Sequence, residues 1–156
     1  MDIKQILYDQ KEEIVSLNTN DLCTRVEEKL FDLQSNLAHV VIGVRRSGKS
    51  TLCMKVLKES GVSFGYVNFD DEQLAGLKTE QLNDVLDALY KIYGDITHVL
   101  FDEIQNISKW PLFVNRLIRQ GLHIVMTGSN ANLLSGELAT HLTGRYNQIE
   151  LFPFSD

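Results

Sequence analysis

The residues with the clearest chemical pattern are those of the segment GVRRSGKS, Gly43 to Ser50, which fits G-x-x-x-x-G-K-[ST] without a gap. The segment follows the apolar run LAHVVIGV and precedes a helical pattern, so it sits between a predicted strand and a predicted helix. Gly43 and Gly48 permit a tight turn and close approach of the backbone to a ligand. The helix after the turn offers unpaired N–H groups and the positive end of its dipole to an anion. The pattern therefore predicts a phosphate-binding loop.

Each polar residue of this loop has a predicted contact. Lys49 is expected to reach the β- and γ-phosphates, Ser50 to place its hydroxyl on Mg²⁺, and Thr51 to support the α-phosphate. Arg45 and Arg46 either contact phosphate or adenine or are solvated surface cations, and the sequence favours neither alternative.

A pair of acidic residues supplies the expected metal partner. Asp102 and Glu103 end the apolar run HVLFDE, about fifty residues after Lys49. We expect Asp102 to hold Mg²⁺ through water and Glu103 to polarise the attacking water and accept its proton.

Because N-K-x-D, the tetrapeptide that reads guanine, does not occur in the sequence, ATP is favoured over GTP. The pair also predicts that the fourth strand inserts between the first and the third, giving a sheet of order 5-1-4-3-2 with the site at the carboxyl ends of the strands.

Polar residues at the end of the fourth strand, in VMTGSN, could hydrogen-bond the γ-phosphate or the attacking water. Ser129 and Asn130 are favoured over Thr127, although each could equally be part of a capped turn. The predicted nucleotide-binding residues are Gly43, Arg45, Arg46, Ser47, Gly48, Lys49, Ser50, Thr51 and Ser129; the predicted catalytic residues are Lys49, Glu103, Asn130 and Arg145; the predicted metal ligands are Ser50 and Asp102.

Three further charged residues are less constrained by the pattern. Arg145, in LTGRY, could act as an arginine finger on its own nucleotide or a neighbouring subunit's, or could pair structurally with a carboxylate. Asp70 and Asp71 follow the second strand, where a helix cap is favoured over a role in the metal site.

The elements that must position these residues alternate along the chain. Periodicity predicts two helices between about residues 3 and 35, the second capped by Asp21 and carrying Leu33 on its apolar face. Strands are then predicted at LAHVVIGV, FGYVNF, THVLFDE, LHIVMTG and YNQIEL, with helices at Ser50–Lys58, Glu80–Tyr93, Pro111 to about Gln120, and Leu133–Leu142. This alternation predicts an α/β fold, a three-layer α/β/α sandwich around a parallel five-stranded sheet. We expect residues 1–36 to form an N-terminal helical segment and residues 37–156 the core.

Composition limits the classes of protein to which the chain can belong. The chain has 156 residues and a formal net charge of −6, which argues against broad nonspecific nucleic-acid binding but leaves a local basic patch open. Cys23 and Cys53 lie far apart without metal-ligand spacing, as expected of thiols in a reducing compartment. Since neither a signal-peptide core nor an apolar run of about 20 residues is found, we expect a cytoplasmic protein that does not contact a membrane. The sequence ends just after the fifth strand, so we expect one domain of a longer protein.

Four segments together resemble the prokaryotic AAA-type P-loop ATPases of the archaeal/bacterial group: GVRRSGKST, HVLFDEIQNISKW, IVMTGSNANLLSGELATHLTGR and IELFPFS. The resemblance covers about residues 25 to 156, and it rests most on DEIQ, TGSN and LTGR…LFPFS in that order. It implies the P-loop NTPase fold of the ASCE division, ATP and Mg²⁺ as ligands, and the site residues given above. Family members usually continue into a winged-helix-like lid and a C-terminal domain, sometimes nuclease-like, that this sequence lacks. A homo-oligomer, and a link to a C-terminal domain or to DNA through such regions, are the partners it implies.

The sequence thus predicts a Mg²⁺-dependent ATPase domain that drives or gates a larger protein. The alternative is a nucleotide-dependent switch with little turnover, against which Glu103 argues. A small-molecule kinase is disfavoured because the sequence has no arginine-rich lid segment.

Overall fold

A parallel sheet with helices on both faces forms the centre of the molecule. The computed structural model describes residues 1–15, 31–35, 37–43, 48–129 and 146–151. Its α-helices are α1 (Ile3–Val15), α2 (Lys49–Ser60), α3 (Leu82–Tyr93) and α4 (Trp110–Arg119), and its strands are β1 (Ala38–Ile42), β2 (Phe64–Asn68), β3 (His98–Asp102), β4 (His123–Gly128) and β5 (Tyr146–Glu150).

The strands lie in the order β2-β3-β4-β1-β5, with the four neighbouring pairs all parallel. This is the predicted order 5-1-4-3-2, so the insertion of β4 between β1 and β3 is confirmed. The strand that carries the acidic pair therefore lies one strand away from the strand that leads into the phosphate-binding loop.

Alternate residues of each strand serve two separate hydrophobic layers. Val40 and Phe101 belong to the layer that contains α1, α3 and α4, whereas Val41 and Leu100 belong to the layer under α2. Because both faces of the sheet are covered, the inner strands β1, β3 and β4 are buried almost throughout instead of alternating, whereas the edge strand β5 buries only Ile149. The same arrangement makes the three-layer α/β/α architecture predicted from the sequence.

The five predicted strands, the first N-terminal helix and the predicted helices that became α2, α3 and α4 agree with the structure to within a few residues, with small shifts at their ends. Helix α2 begins one residue earlier than predicted, at Lys49, and ends against Gly61 as expected. Helix α3 begins at Leu82 because a 3₁₀ turn, Thr79–Gln81, occupies the segment predicted as its start. The predicted helix Leu133–Leu142 lies outside the described residues, and the boundary between residues 36 and 37 stays a prediction.

The prediction of a second N-terminal helix is wrong for residues 31–35. This segment makes a turn against the amino ends of the strands, where Leu33 is buried. His98 donates through Nε2 to the carbonyl of Leu33 at 2.8 Å, and His123 donates through Nδ1 to the carbonyl of Ser35 at 2.9 Å. The backbone N–H of Asp32 in turn donates to Nε2 of His39 at 2.9 Å. Histidines from three strands therefore satisfy backbone groups that a helix would have paired internally; residues 16–30, with Asp21, lie outside the described residues.

Candidate functional site

The phosphate-binding segment follows a strand and leads into a helix, and the structure describes its residues 43 and 48–50. Gly43 follows β1, is buried, and donates its N–H to the carbonyl of Gly128 at 3.2 Å. Gly48 has a φ of 85°, in the left-handed region that glycine adopts without strain, and its carbonyl accepts from the N–H of Leu52 at 2.9 Å. Gly48 therefore provides the acceptor for the first hydrogen bond of α2.

The start of α2 is suited to an anion. Its N-cap is a glycine, which has no side chain to accept from the first N–H groups, and its first three residues are Lys49, Ser50 and Thr51. The first N–H groups of an α-helix lack intrahelical partners and carry partial positive charge. No acidic residue occupies this first turn. A phosphate would supply the acceptors and the negative charge that the helix start lacks.

One carboxylate, that of Asp102, receives hydrogen bonds from three different elements. Ser50 on α2 places its Oγ 2.7 Å from both oxygens of Asp102, which is 6 % exposed. Thr127 on β4 donates through Oγ1 to Oδ1, and Tyr66 on β2 donates through its hydroxyl to Oδ2 at 3.0 Å. A buried carboxylate needs such donors because burial without them is costly.

Sequence reasoning missed Tyr66 altogether and did not favour Thr127. In FGYVNF, Tyr66 looks like a core residue of a strand. The signal for its role is the register of β2 against β3. Tyr66 pairs with Leu100, so it lies on the same face of the sheet as Asp102 and two residues back along the strands. Burial, followed by the neighbouring Asp102 carboxylate, raises the pKa of Tyr66 far above its ordinary value, so its hydroxyl remains a donor.

The neighbouring carboxylate, Glu103, is held by an ion pair and by neutral donors. Its Oε1 lies 2.7 Å from Nζ of Lys49, and the two side chains are only 12 % and 6 % exposed. Gln105 donates through Nε2 to Oε2 at 2.6 Å, and Ser129 donates through Oγ to the same atom at 3.0 Å. The backbone N–H of Glu103 donates to Oγ1 of Thr127 at 2.9 Å.

Electrostatics favour the ionised form of Glu103. Burial alone would raise its pKa, but the hydrogen bond from Gln105, the hydrogen bond and charge of Lys49 and the hydroxyl of Ser129 together lower the pKa below its ordinary value. The backbone of Glu103 has a φ of 56°. This left-handed conformation costs free energy in a residue other than glycine, and residues strained in this way are concentrated at functional sites. The structure therefore holds an ionised carboxylate in a strained position beside the start of α2.

The residues present fit a magnesium ion. Mg²⁺ prefers hard oxygen ligands and usually keeps several waters, bound through one or two carboxylates and substrate phosphates. The hydroxyl of Ser50 and the carboxylate of Asp102 are such oxygens and already lie in contact. Within the described residues, no group of three or more His, Cys, Asp or Glu side chains could hold a metal by itself.

The structure thus brings together five of the residues predicted for the site: Lys49, Ser50, Asp102, Glu103 and Ser129. Asp71 instead caps a 3₁₀ turn, Glu72–Leu74, and Asp70 accepts a bond from Asn106, so neither contacts the acidic pair through these bonds. Five other predicted residues lie outside the described part of the chain: Arg45, Arg46, Ser47, Asn130 and Arg145.

Comparison with protein families identifies the class of this domain. A family model described as an AAA domain matches residues 35–156, most of the chain. The chain belongs to this AAA domain family, which confirms the resemblance noted in the sequence.

Two curated relatives each match about three quarters of the chain. An uncharacterized protein of Methanocaldococcus jannaschii is 38% identical over 121 residues, which is 77% of this chain and 27% of the relative. An uncharacterized protein of Haemophilus influenzae is 40% identical over 124 residues, which is 74% of this chain and 31% of the relative. The chain therefore spans less than a third of the length of these relatives.

Solved structures share the fold. A DNA replication initiation factor superposes with a TM-score of 0.57 at 16% identity, over 88% of this chain and 50% of that one. The replication initiator DnaA bound to AMPPCP and single-stranded DNA has a TM-score of 0.54 at 20% identity, over 81% and 44% of the two chains. A Walker-type ATPase of Pyrococcus abyssi has a TM-score of 0.54 at 17% identity, over 87% and 55%. These likenesses show the P-loop NTPase fold.

In the part of the chain that the structure describes, no helix is both long and apolar enough to cross a bilayer.

Proposed function

We propose that this domain binds ATP with Mg²⁺ and hydrolyses it, and that this cycle drives or gates a larger protein. One observation carries the proposal. The first two residues of α2 face the two acidic residues that end β3, with Lys49 at 2.7 Å from Glu103 and Ser50 at 2.7 Å from Asp102. A phosphate-binding helix start, a hydroxyl–carboxylate pair for a metal and a separate ionised carboxylate are the parts that phosphoanhydride hydrolysis needs.

Binding requires one exchange of partners. The triphosphate would be held by the N–H groups of the turn and of the α2 start, and by Nζ of Lys49, which must leave Glu103 to reach phosphate oxygens. The exchange replaces one charge-assisted contact of Lys49 by another, and it frees Glu103 from its cationic neighbour. Arg45, Arg46, Ser47 and Thr51 would complete the nucleotide contacts.

Metal binding would use the contact between α2 and β3. Ser50 Oγ and the Asp102 carboxylate would hold Mg²⁺, the latter through water. The ion would neutralise charge on the β- and γ-phosphates. Thr127 and Tyr66 keep the Asp102 carboxylate in place from either side.

Hydrolysis would use Glu103 as the general base. Its carboxylate would orient a water and accept the proton at an Oε atom. Gln105 and Ser129 hold Oε2 and keep the group ionised. Asn130 would contact the water or γ-phosphate, and Arg145 would stabilise the charge that develops during transfer, in its own subunit or a neighbouring one.

A larger protein would use the nucleotide cycle of this domain. The chain spans less than a third of its curated relatives, so further regions would convert the nucleotide cycle into work. One structural neighbour, DnaA, was solved with single-stranded DNA, and this supports DNA as a partner of those further regions. A homo-oligomer would be required if Arg145 acts on a neighbour.

A switch with little turnover is the second candidate, and the ion pair favours it. Lys49 and Glu103 neutralise each other in a nearly buried contact. A nucleotide could replace Glu103 as the partner of Lys49 when it binds, and leave again without being hydrolysed. The two candidates differ only in whether Glu103 takes a proton from water.

Steady-state phosphate release separates them. We expect wild type to hydrolyse ATP with Mg²⁺ and Glu103→Gln to be slower by about 100-fold or more, as is typical of the loss of a general base. Glu80→Gln, an exposed position before α3, is the matched control and should keep the wild-type rate. Equal and negligible release by wild type and Glu103→Gln, with ATP binding retained, would establish the switch instead.

A further inference from the structure

The Asp102 carboxylate has two kinds of donor. Ser50 Oγ is equidistant from both oxygens, at 2.7 Å, and so shares one hydrogen between them. Thr127 donates to Oδ1 alone and Tyr66 to Oδ2 alone. Each oxygen therefore has one donor from a flanking strand and a share of one donor from the helix.

The two strand donors do not depend on the orientation of the Ser50 hydroxyl. In the proposed function the oxygen of Ser50 would hold the metal through a lone pair, and its single hydrogen could then point to only one oxygen of Asp102. Thr127 and Tyr66 lie on β4 and β2, which flank β3 in the sheet, so neither needs to move. Their two bonds fix the rotation of the carboxylate about its last side-chain bond, which decides where its free lone pairs point.

We propose that Tyr66 is a positioning residue for the metal site, holding Oδ2 of Asp102 so that the carboxylate faces the hydroxyl of Ser50 and the water shell of the ion. The inference rests on the proposed function, because the ion it serves is the one that accompanies ATP. Groups that orient a metal-binding residue without touching the metal typically change metal affinity by about 10- to 100-fold when removed.

Packing alone does not account for a tyrosine at this position. Tyr66 is 5 % exposed, in the layer between the sheet and α2. Phenylalanine would fill the same space without a hydroxyl that must be satisfied in an apolar layer. Tyr93 packs in the same layer, and its hydroxyl donates to no side chain among the described residues. The two tyrosines therefore form a matched pair, one hydroxyl bound to the carboxylate and one not.

The test compares Tyr66→Phe with Tyr93→Phe in the whole chain. Binding of a fluorescent ribose-labelled ATP analogue is measured first in EDTA and then as a function of Mg²⁺ concentration, and thermal melts report folding. For Tyr66→Phe we expect the metal-free affinity to stay within about twofold and the half-saturating Mg²⁺ concentration to rise about tenfold. For Tyr93→Phe both quantities should match wild type.

Each other outcome contradicts something specific. An unchanged Mg²⁺ requirement in Tyr66→Phe overturns the role of Tyr66 and leaves the proposed function standing. A Tyr66→Phe variant that does not fold also overturns it, because the hydroxyl would then serve the fold. If wild type binds no nucleotide with or without Mg²⁺, the proposed function fails and this inference fails with it.

Discussion

In the proposed nucleotide cycle, Glu103 and Lys49 are the residues whose partners would change most. In the structure they pair at 2.7 Å, nearly buried. An unpaired charge at such a site is costly, so neither can leave before a new partner arrives. Phosphate oxygens would replace Glu103 as the partner of Lys49, and the carboxylate would then rely on its neutral donors, Gln105 and Ser129. The resting ion pair therefore gives each of the two groups a partner until nucleotide binds.

The hydrogen bond from Gln105 to Glu103 leads to a prediction about the pH dependence of hydrolysis. A general base works when deprotonated, so hydrolysis should rise with pH through the pKa of Glu103. The Gln105 amide lowers that pKa. In Gln105→Ala the pKa should rise, and the acidic limb of the rate profile should move to higher pH.

The measurement is phosphate release at saturating Mg·ATP across the acidic range. Gln73→Ala, at an exposed position after β2, serves as the control and should keep the wild-type limb. A limb that stays in place in Gln105→Ala, or moves to lower pH, would contradict the role given to this hydrogen bond.

At the scale of elements, the turn at residues 31–35 depends on a neutral His39. Nε2 of His39 accepts the N–H of Asp32, so this nitrogen carries no proton. Phe31 stacks on the His39 ring at 5.5 Å between centroids. Burial lowers the pKa of His39, and this outweighs the carbonyl of Leu37 and the charge of Asp32, which raise it. Protonation of Nε2 would place its N–H against the N–H of Asp32, and the hydrogen bond between them would be lost.

The sign of the pH effect follows from this lowered pKa. Since the unfolded chain takes up the proton more readily, the free energy of unfolding is largest above the ordinary histidine pKa of about 6.5 and falls as the pH drops below it. Each kcal/mol lost should lower the melting temperature by roughly 2–4 °C. Thermal melts from pH 7.5 to 5.5 should show the decline.

A non-titrating acceptor provides the control for the histidine. In His39→Gln the side-chain oxygen can accept from Asp32 at any pH, so the variant should lose less stability than wild type over the same range. Equal pH slopes in the two proteins would show that His39 does not carry the effect.

Local patterns predicted the core elements and failed at this turn for a physical reason. Strands β1 to β4 and helices α2 to α4 each carry their own signal, an apolar run or a periodic face ended by glycine. The turn at 31–35 is instead set by histidines 7 to 88 residues away in sequence. Residue Leu33 fits a helical spacing, but its carbonyl is satisfied by His98, and local periodicity contains no information on such a contact.

At the scale of the whole molecule, the predicted strand order places the site. A parallel sheet of order 5-1-4-3-2 brings the carboxyl ends of β1, β3 and β4 together. Lys49, Asp102, Glu103 and Ser129 could be assigned to that edge from motif and order alone. Tyr66 could not, since its role depends on the register of β2 against β3 and on a hydroxyl in an otherwise apolar strand.

The central claim is that the start of α2 is a cradle for a triphosphate, and isothermal titration of ATP with Mg²⁺ into wild type and Lys49→Ala tests it most directly. The account predicts one site per chain in wild type and a loss of affinity of about 10- to 100-fold in Lys49→Ala, from the charged hydrogen bonds that the ammonium makes. Lys91→Ala, on the exposed surface of α3, should bind as wild type does. Unchanged affinity in Lys49→Ala, or an absence of binding in wild type, would contradict the claim.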